Sequence, residues 1–351
     1  GKLLVASDGA GFDWFGCSVS VAGDVAVVGA CVKNGPQGTL YQGAAYVYER
    51  NAGGRDNWGQ VKKLLASDGA ASEEFGQSVS VAGDVVAVAA LATNGLPGVV
   101  YVFERDAGGD GNWGEVKKLQ AFEGAASVDR GFCPQRLSVA GDMVVVGAPL
   151  ADAEAGAAYV YERNAGGVEN WGQVKKLQAS DGVAGDRFGV SVNIAGDVVA
   201  VGADSSGTNY AQGAVYVYGR NVGGAGNLGE VRKVQAPDRE GGDRFGRAVN
   251  VAGDMLVVGA FSKDDPLGNL SAGAAYVYER NAGGANNWGV VRKLLASDAA
   301  AGDNFGGSVG VAGDVVVVGA RGKDNNKGAA YVYTEVGGWN VPEWFGRYYD
   351  Y

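Results

Sequence analysis

The chain has 351 residues, a net charge of −10, 62 glycines and no histidine. The acidic balance excludes a nucleic-acid backbone as partner, since phosphate binding needs clustered Lys and Arg. The absence of histidine excludes His-based acid–base chemistry, a Ser-His-Asp arrangement and ordinary zinc sites.

Hydrophobic residues make up 46% of the chain, which together with the glycine content points to many short strands joined by tight turns. No run approaches the ~18 apolar residues of a membrane span. No leader peptide is visible, and Gly1 reads as the start of a mature, secreted form.

In chain order, the first stretch is Gly1 to Ala6, GKLLVA. A longer pattern then begins at Phe15 and recurs with its Phe at Phe75, Phe132, Phe188, Phe245 and Phe305. The intervals are 60, 57, 56, 57 and 60 residues. A period near 58 is long for a solenoid repeat and suits a four-stranded propeller blade.

Four strands are predicted per copy. Strand A is Ser18 to Ala22 in the first copy. An Ala-Gly-Asp turn follows, where Gly23 supplies the positive φ of a tight hairpin. Strand B, such as Val315 to Val318, is apolar on both faces, as a strand sandwiched between neighbouring sheets should be. Strand C is Ala45 to Tyr48, and strand D is Val61 to Ala66, whose Lys pair suits an outermost edge. The A–B and C–D connections share one end of the blade, and the B–C and D–A connections share the other.

The predicted fold is all-β: a six-bladed β-propeller of four-stranded antiparallel blades over residues 1–335, followed by an aromatic tail, 336–351. GKLLVA matches strand D and is expected to complete the last blade and close the ring. The tail competes for that role, because Trp339 to Trp344 resembles the Trp-led start of strand D, although Pro342 counts against it.

The paired aromatics of strand C, such as Tyr46/Tyr48 and Tyr276/Tyr278, are expected to fill the gaps between blades, as are Trp58, Trp113, Trp171 and Trp288. The D–A loops carry Asp8, Asp68, Asp181, Asp238 and Asp298, then Asp13, Glu73, Asp186, Asp243 and Asp303. A ring of such acids is able to hold cations, but the same residues cap backbone N–H groups in their own turns, and capping is the expected role.

The B–C loops vary most among the copies, and a fixed frame with variable loops is how a scaffold carries recognition. The ligand-binding candidates there are Asp204, Asn209, Tyr210, Asp264, Asp265 and Asp324. Asp264, Asp265 and Asn269, and Asp324 with Asn326, have the oxygen ligands that suit Ca²⁺, the one cofactor these loops would take. Asn269-Leu270-Ser271 is a glycosylation sequon. Cys17 and Cys31 fall as diagonal neighbours on strands A and B, at ~7–8 Å. That is slightly beyond the usual disulfide limit of about 7 Å, so a bridge requires local bending.

With Phe15-Gly16, Phe75-Gly76, Phe188-Gly189, Phe245-Gly246 and Phe305-Gly306, and with Gly29-Ala30, Gly202-Ala203, Gly259-Ala260 and Gly319-Ala320, the copies resemble FG-GAP repeats, related to the propeller of integrin α subunits. The resemblance implies an extracellular or cell-surface binding and adhesion module without enzymatic activity. Its partner would be a glycan or a cell-surface or matrix protein.

Integrin-type repeats often carry a DxDxDG calcium loop in the A–B connection. Here that connection is only Ala-Gly-Asp, so the family's calcium site does not carry over. The third copy departs most, with Arg130-Gly131-Phe132-Cys133-Pro134 in place of the usual pattern. Two other functions compete. One is a structural subunit of a surface layer or filament, self-associating through the aromatics of residues 339–351. The other is a hydrolase using paired carboxylates from the loop-rich end.

Overall fold

A computed structural model describes residues 2–91, 98–120, 137–168, 170–205 and 211–334. The chain divides into two compact units, Gly1–Gly196 and Asp197–Tyr351, the division falling in the A–B turn of the fourth copy.

The first unit holds β1 (Phe15–Ala22), β2 (Val25–Ala30), β3 (Ala44–Glu49) and β4 (Gly59–Leu64) as one sheet. A second sheet is β5 (Ser78–Ala82), β6 (Val85–Ala90), β7 (Val99–Glu104) and β8 (Gly114–Leu119). A third is β9 (Leu137–Ala140), β10 (Met143–Ala148), β11 (Ala157–Glu162) and β12 (Gly172–Leu177). The unit ends with β13 (Phe188–Ala195).

The second unit begins with β14 (Val198–Ala203), β15 (Ala214–Arg220) and β16 (Leu228–Val234); the fourth sheet has the order β13-β14-β15-β16. The fifth sheet is β17 (Phe245–Ala252), β18 (Met255–Ala260), β19 (Ala274–Glu279) and β20 (Gly289–Leu294). The sixth has β21 (Phe305–Ala312), β22 (Val315–Ala320) and β23 (Ala329–Thr334), with no fourth strand among the described residues.

Each sheet is an up-and-down antiparallel meander with strand A at one edge, and in the five four-stranded sheets strand D is at the other. The protein is thus an all-β, six-bladed β-propeller in fold class, as the repeat predicts. The middle strands carry the core. Val85 to Ala90 are all buried, as are Ala274 to Tyr278, because sheet packs on both of their faces. The outer strands β4 and β12 are half-buried, with their lysines at the edge.

Burial of an A strand depends on the preceding blade. Val79 and Val81 of β5, packed beside β1, are 7% and 5% exposed, whereas Val19 and Val21 of β1 are 69% and 67% exposed.

The Phe-Gly pair has a specific structural task. Phe305 is fully buried with its ring edge-on to both strand C aromatics, 5.3 Å from Tyr331 and 6.2 Å from Tyr333. Phe75 stands the same way to Tyr101 and Phe103, at 5.5 and 6.1 Å. Edge-to-face contacts of this kind add to the area the rings bury.

At four of the Phe residues the backbone bridges to the glycine that opens strand C of the preceding blade: Gly43 to Phe75, Gly156 to Phe188, Gly213 to Phe245 and Gly273 to Phe305. At Gly273 φ is +92° and a Cβ would overlap the backbone of Phe305; at Gly306 φ is +88° and a Cβ would overlap the carbonyl of Ala274. Both glycines are therefore required by the approach of one blade's backbone to the next.

Three sequence expectations are adjusted. Strand A begins at Phe15 rather than Ser18, and strand D runs Gly59–Leu64 rather than Val61 to Ala66. Residues 2–6, expected as a ladder-paired closing strand, carry no strand pairing. Their contacts to the first blade nonetheless repeat those of a strand D. Lys2 Nζ donates to Asn57 at 3.0 Å, as Lys62 does to Asn112 at 2.7 Å and Lys117 to Asn170 at 2.6 Å. The Tyr48 hydroxyl donates to the Val5 carbonyl at 2.7 Å, as Tyr161 does to Gln120 and Tyr333 to Leu295, both at 2.9 Å.

The disulfide left open by the strand register is present between Cys17 and Cys31, with Cα atoms 6.4 Å apart. The pairing of β1 with β2 shifts register between Phe15 and Val19, and this bulge supplies the bending that flat diagonal geometry lacks. Cys133 lies outside the described residues.

Candidate binding surface

The D–A and B–C connections meet at one end of each blade. The second acid of the D–A loop folds back on its own turn. Asp13 accepts from Ala10 N at 2.8 Å, Glu73 from Ala70 N at 2.9 Å and Asp186 from Val183 N at 3.0 Å. Asp243 accepts from Glu240 N at 2.7 Å and Asp303 from Ala300 N at 2.8 Å. These acids are the caps that the sequence led us to expect.

The first acid accepts a strand C phenol, buried in three of the blades and half-buried at Tyr331. Tyr46 donates to Asp8, Tyr276 to Asp238 and Tyr331 to Asp298, each at 2.6 Å, and Tyr101 to Asp68 at 2.7 Å. A strand D lysine completes the cluster, as in Lys63–Asp8 at 2.7 Å and Lys293–Asp238 at 2.6 Å. The strand C tyrosines therefore have a polar tip as well as a packing body.

Sequence reasoning missed a further partner. Lys33, Lys263 and Lys323 rise from B–C loops and are buried, at 6%, 4% and 9% exposed. Lys33 Nζ donates to the Asp8 carbonyl and to Asp13, both at 2.7 Å. Lys263 donates to the Asp238 carbonyl at 2.7 Å and pairs with Asp243 at 3.1 Å. Lys323 pairs with Asp303 at 3.1 Å and with Asp298 at 3.2 Å.

In these three blades an ammonium group occupies the position in which a loop of acids and carbonyls would hold a cation. The signal was in the sequence: each lysine lies three residues after the alanine of a Gly-Ala pair, at Ala30, Ala260 and Ala320.

The network sets charge. Burial raises the Asp8 carboxyl, but hydrogen bonds from Lys63 and Tyr46 and the charges of Lys63 and Lys33 outweigh it and hold the group at about 2. Burial, then the nearby Asp8 charge, pushes Tyr48 up to about 12. A carboxyl depressed in the folded state contributes stability that is complete above its unfolded value, near 4, and is lost as pH falls through about 2. Acid unfolding followed by circular dichroism should therefore steepen between pH 4 and 2. Asp8→Asn should flatten that limb while lowering stability at pH 7.

The remaining candidates sort by blade. Asp204 is fully buried at the end of β14, 3.3 Å from Arg247 and 3.7 Å from Arg244. Asp265 is buried and accepts from Leu267 N at 2.9 Å, Asn269 N at 2.8 Å and Asn269 Nδ2 at 2.7 Å. The exposed Asp264 accepts from Ser271 N at 2.7 Å. The fold thus brings Asp264, Asp265 and Asn269 together around one turn and uses their polar atoms to shape it. The sequon amide of Asn269 is the donor to Asp265.

Asp324 and Asn326 lie exposed in a tight turn of the sixth blade, with φ of 52° and 67°. Asn209 and Tyr210 lie outside the described residues. Among the described residues no cluster of three or more acidic or cysteine side chains has the geometry of a metal site.

At the opposite end of the blades, where A–B turns meet C–D loops, each unit has a cleft among the described residues. One of about 340 Å³ is lined by Asp24, Glu49, Arg50, Asn51 and Arg105. The other, of about 440 Å³, is lined by Ala252, Asp254, Met255, Glu279, Arg280 and Gly313. Arginines bridge successive A–B turns here: Arg163 lies 3.2 Å from Asp84 and 3.6 Å from Asp142, and Arg280 lies 3.0 Å from Asp197 and 3.6 Å from Asp254.

Sheets of this topology, stitched by Phe-Gly bridges, define a repeat-built β-propeller. Residues 2–48, 58–103, 113–161, 171–218, 228–278 and 288–333 each match the FG-GAP repeat, and the chain belongs to that family. Among solved structures the fold is similar to a chain titled Kuenenia stuttgartiensis Hydrazine Synthase. The TM-score is 0.53 at 13% identity, over 92% of this chain and 78% of that one. No curated protein matches the sequence. Among the described residues no helix is long and apolar enough to cross a membrane.

Proposed function

We propose that the protein is a binding module, placed outside the cell or at its surface, that recognises a glycan or a protein through its B–C loops. The observation that carries this reading is the contrast between frame and loops. The B–C connections range from eight residues between Ala148 and Ala157 to thirteen between Ala30 and Ala44. Beneath them, the same Asp–Tyr and Asp–backbone contacts recur from blade to blade. Loops held at fixed separations lose little entropy on binding.

The loop acids favour binding over hydrolysis. Paired-carboxylate catalysis needs one acid to exchange a proton with substrate, whereas Asp8, Asp238 and Asp298 are each engaged by a tyrosine and a lysine. The Cys17–Cys31 bridge fits an oxidising compartment.

The test replaces residues 204–212 and 261–272 with Arg321 to Lys327 and compares both variants with the parent on a glycan array and on cell surfaces, with and without calcium. Binding should fall at least ~10-fold with either replacement. Binding that survives both, yet disappears when Asn51 to Asn57 and its counterparts are altered, would place recognition at the clefts of the opposite end.

A further inference from the structure

In the fifth blade Phe245 is paired with Ala260, so the start of β17 lies against the end of β18. The register shifts between Phe245 and Ala248, and Arg247 leaves the sheet in that bulge, close to Phe261. The Arg247 amide donates to the Arg244 carbonyl at 3.3 Å, and this tight turn keeps the two arginines together. Both face Asp204 at the end of β14, with Arg247 3.3 Å and Arg244 3.7 Å from its carboxylate. From the sixth blade, the Arg321 guanidinium just past β22 lies 5.6 Å from the Phe261 ring centre.

Three guanidinium groups thus accompany one carboxylate, in a chain of net charge −10. Asp204 is fully buried, whereas the side chains of Arg247 and Arg244 are 33% and 40% exposed, and Arg321 is exposed. Among the described residues no carboxylate pairs with Arg321. The acids of the same B–C loop are otherwise engaged, since Asp264 and Asp265 accept from amides of their own turn. Lys263 and Lys323 in turn neutralise Asp243 and Asp303. The frame does not require these arginines. Where Arg247 stands, other copies have Cys17, Gln77, Val190 and Gly307, and where Arg321 stands they have Cys31, Leu91 or Pro149.

We propose that Arg244, Arg247 and Arg321 form a binding site for an oxyanion, the carboxylate or sulfate of an acidic sugar. The inference rests on the reading of the B–C loops as the recognition end and names the ligand class. A guanidinium is a planar fork of N–H donors that matches two oxygens of one group. The buried Asp204 holds Arg247 through one N–H, and Phe261 holds Arg321 without cancelling its charge.

The test is calorimetric titration of the full chain with oligogalacturonate, sulfated dextran and neutral dextran. At least one acidic probe should bind, more weakly as salt rises, and neutral dextran should not. Binding of oligogalacturonate assigns a carboxylate and binding of sulfated dextran a sulfate; either supports the site. Arg321→Gln should weaken binding at least ~10-fold, and Arg321→Lys, which keeps the charge but loses the fork, should weaken it less. Arg232→Gln, an exposed arginine of β16, should stay within ~2-fold of the parent. Equal losses in Arg321→Gln and Arg232→Gln would overturn the proposal in favour of diffuse attraction. Probe binding that survives Arg247→Gln and Arg321→Gln, but falls when residues 261–272 are replaced, would overturn the arginine site and leave the B–C loops as the recognition end. A parent chain that binds neither acidic probe would overturn it too, and the glycan array then judges the loops separately. Should Arg247→Gln not fold, Arg321→Gln, which leaves the Asp204 pairs intact, decides alone.

Discussion

Gly273→Ala should cost about 4 kcal/mol or more and leave little folded protein at moderate urea. Two penalties combine. The residue holds φ of +92°, and its Cβ would overlap the backbone N, C and O of Phe305. Backbone has no rotamer to yield with, so the blades must part. Parting them breaks the Gly273–Phe305 bridge and the hydrogen bond from Phe305 N to the Ala272 carbonyl at 2.9 Å, and it loosens the ring of Phe305 from Tyr331 and Tyr333. Gly253→Ala is the control. Its φ is +58° with nothing within 4 Å of a Cβ, so only the left-handed backbone is penalised, by about 1–2 kcal/mol. Equal urea midpoints for the two variants would show that close approach of blades is not what these glycines provide.

Deleting residues 1–7 should be the second most damaging change, at about 3–6 kcal/mol, because buried partners lose their acceptors. Tyr46 and Tyr48 are 0% and 2% exposed, and the Val5 carbonyl accepts from Tyr48. Asp8, the acceptor for Tyr46 and Lys63, would sit at a new chain end. Leu4 and Ala6, which pack on the cluster of Val28, Tyr46 and Tyr48, would go with the deletion. Thermal unfolding of the truncated chain should begin several degrees lower. Lys2→Ala alone, which removes only one exposed hydrogen bond to Asn57, should change the midpoint little. A truncated chain as stable as the parent would mean that these contacts, although repeated from blade to blade, do not hold the first blade together.

The middle strands were readable from residues alone. A run such as VVAVAA or AAYVY has no polar side on which to meet water, and both proved buried, whereas VVVVGA of the sixth blade is only partly so. The edges were harder. Strand A starts three residues early because Phe15-Gly16 enters through a bulge with Gly16 at φ of +95°, and propensity does not reveal a bulge. The same bulge explains why a disulfide that flat-sheet geometry disfavours is formed. Lys33, Lys263 and Lys323 were passed over because a lone lysine in a polar loop reads as a solvated charge. Their burial becomes apparent only when the D–A turn is folded and its carbonyls face inward. The loop acids, in contrast, declared their role through position, since a carboxylate at the same place in five of the copies serves the frame.

Those three internal ammonium groups set the protein's relation to its surroundings. A loop shaped by a bound divalent ion slackens when the ion is diluted or sequestered, and its affinity for a partner then follows the ionic make-up of the medium. A loop shaped by a tethered lysine has its counter-charge at a fixed and effectively very high local concentration. In the first, fifth and sixth blades the end that carries the B–C and D–A loops should keep its form in fresh water, brine or a chelating buffer alike, and its geometry belongs to the chain itself rather than to the fluid around it.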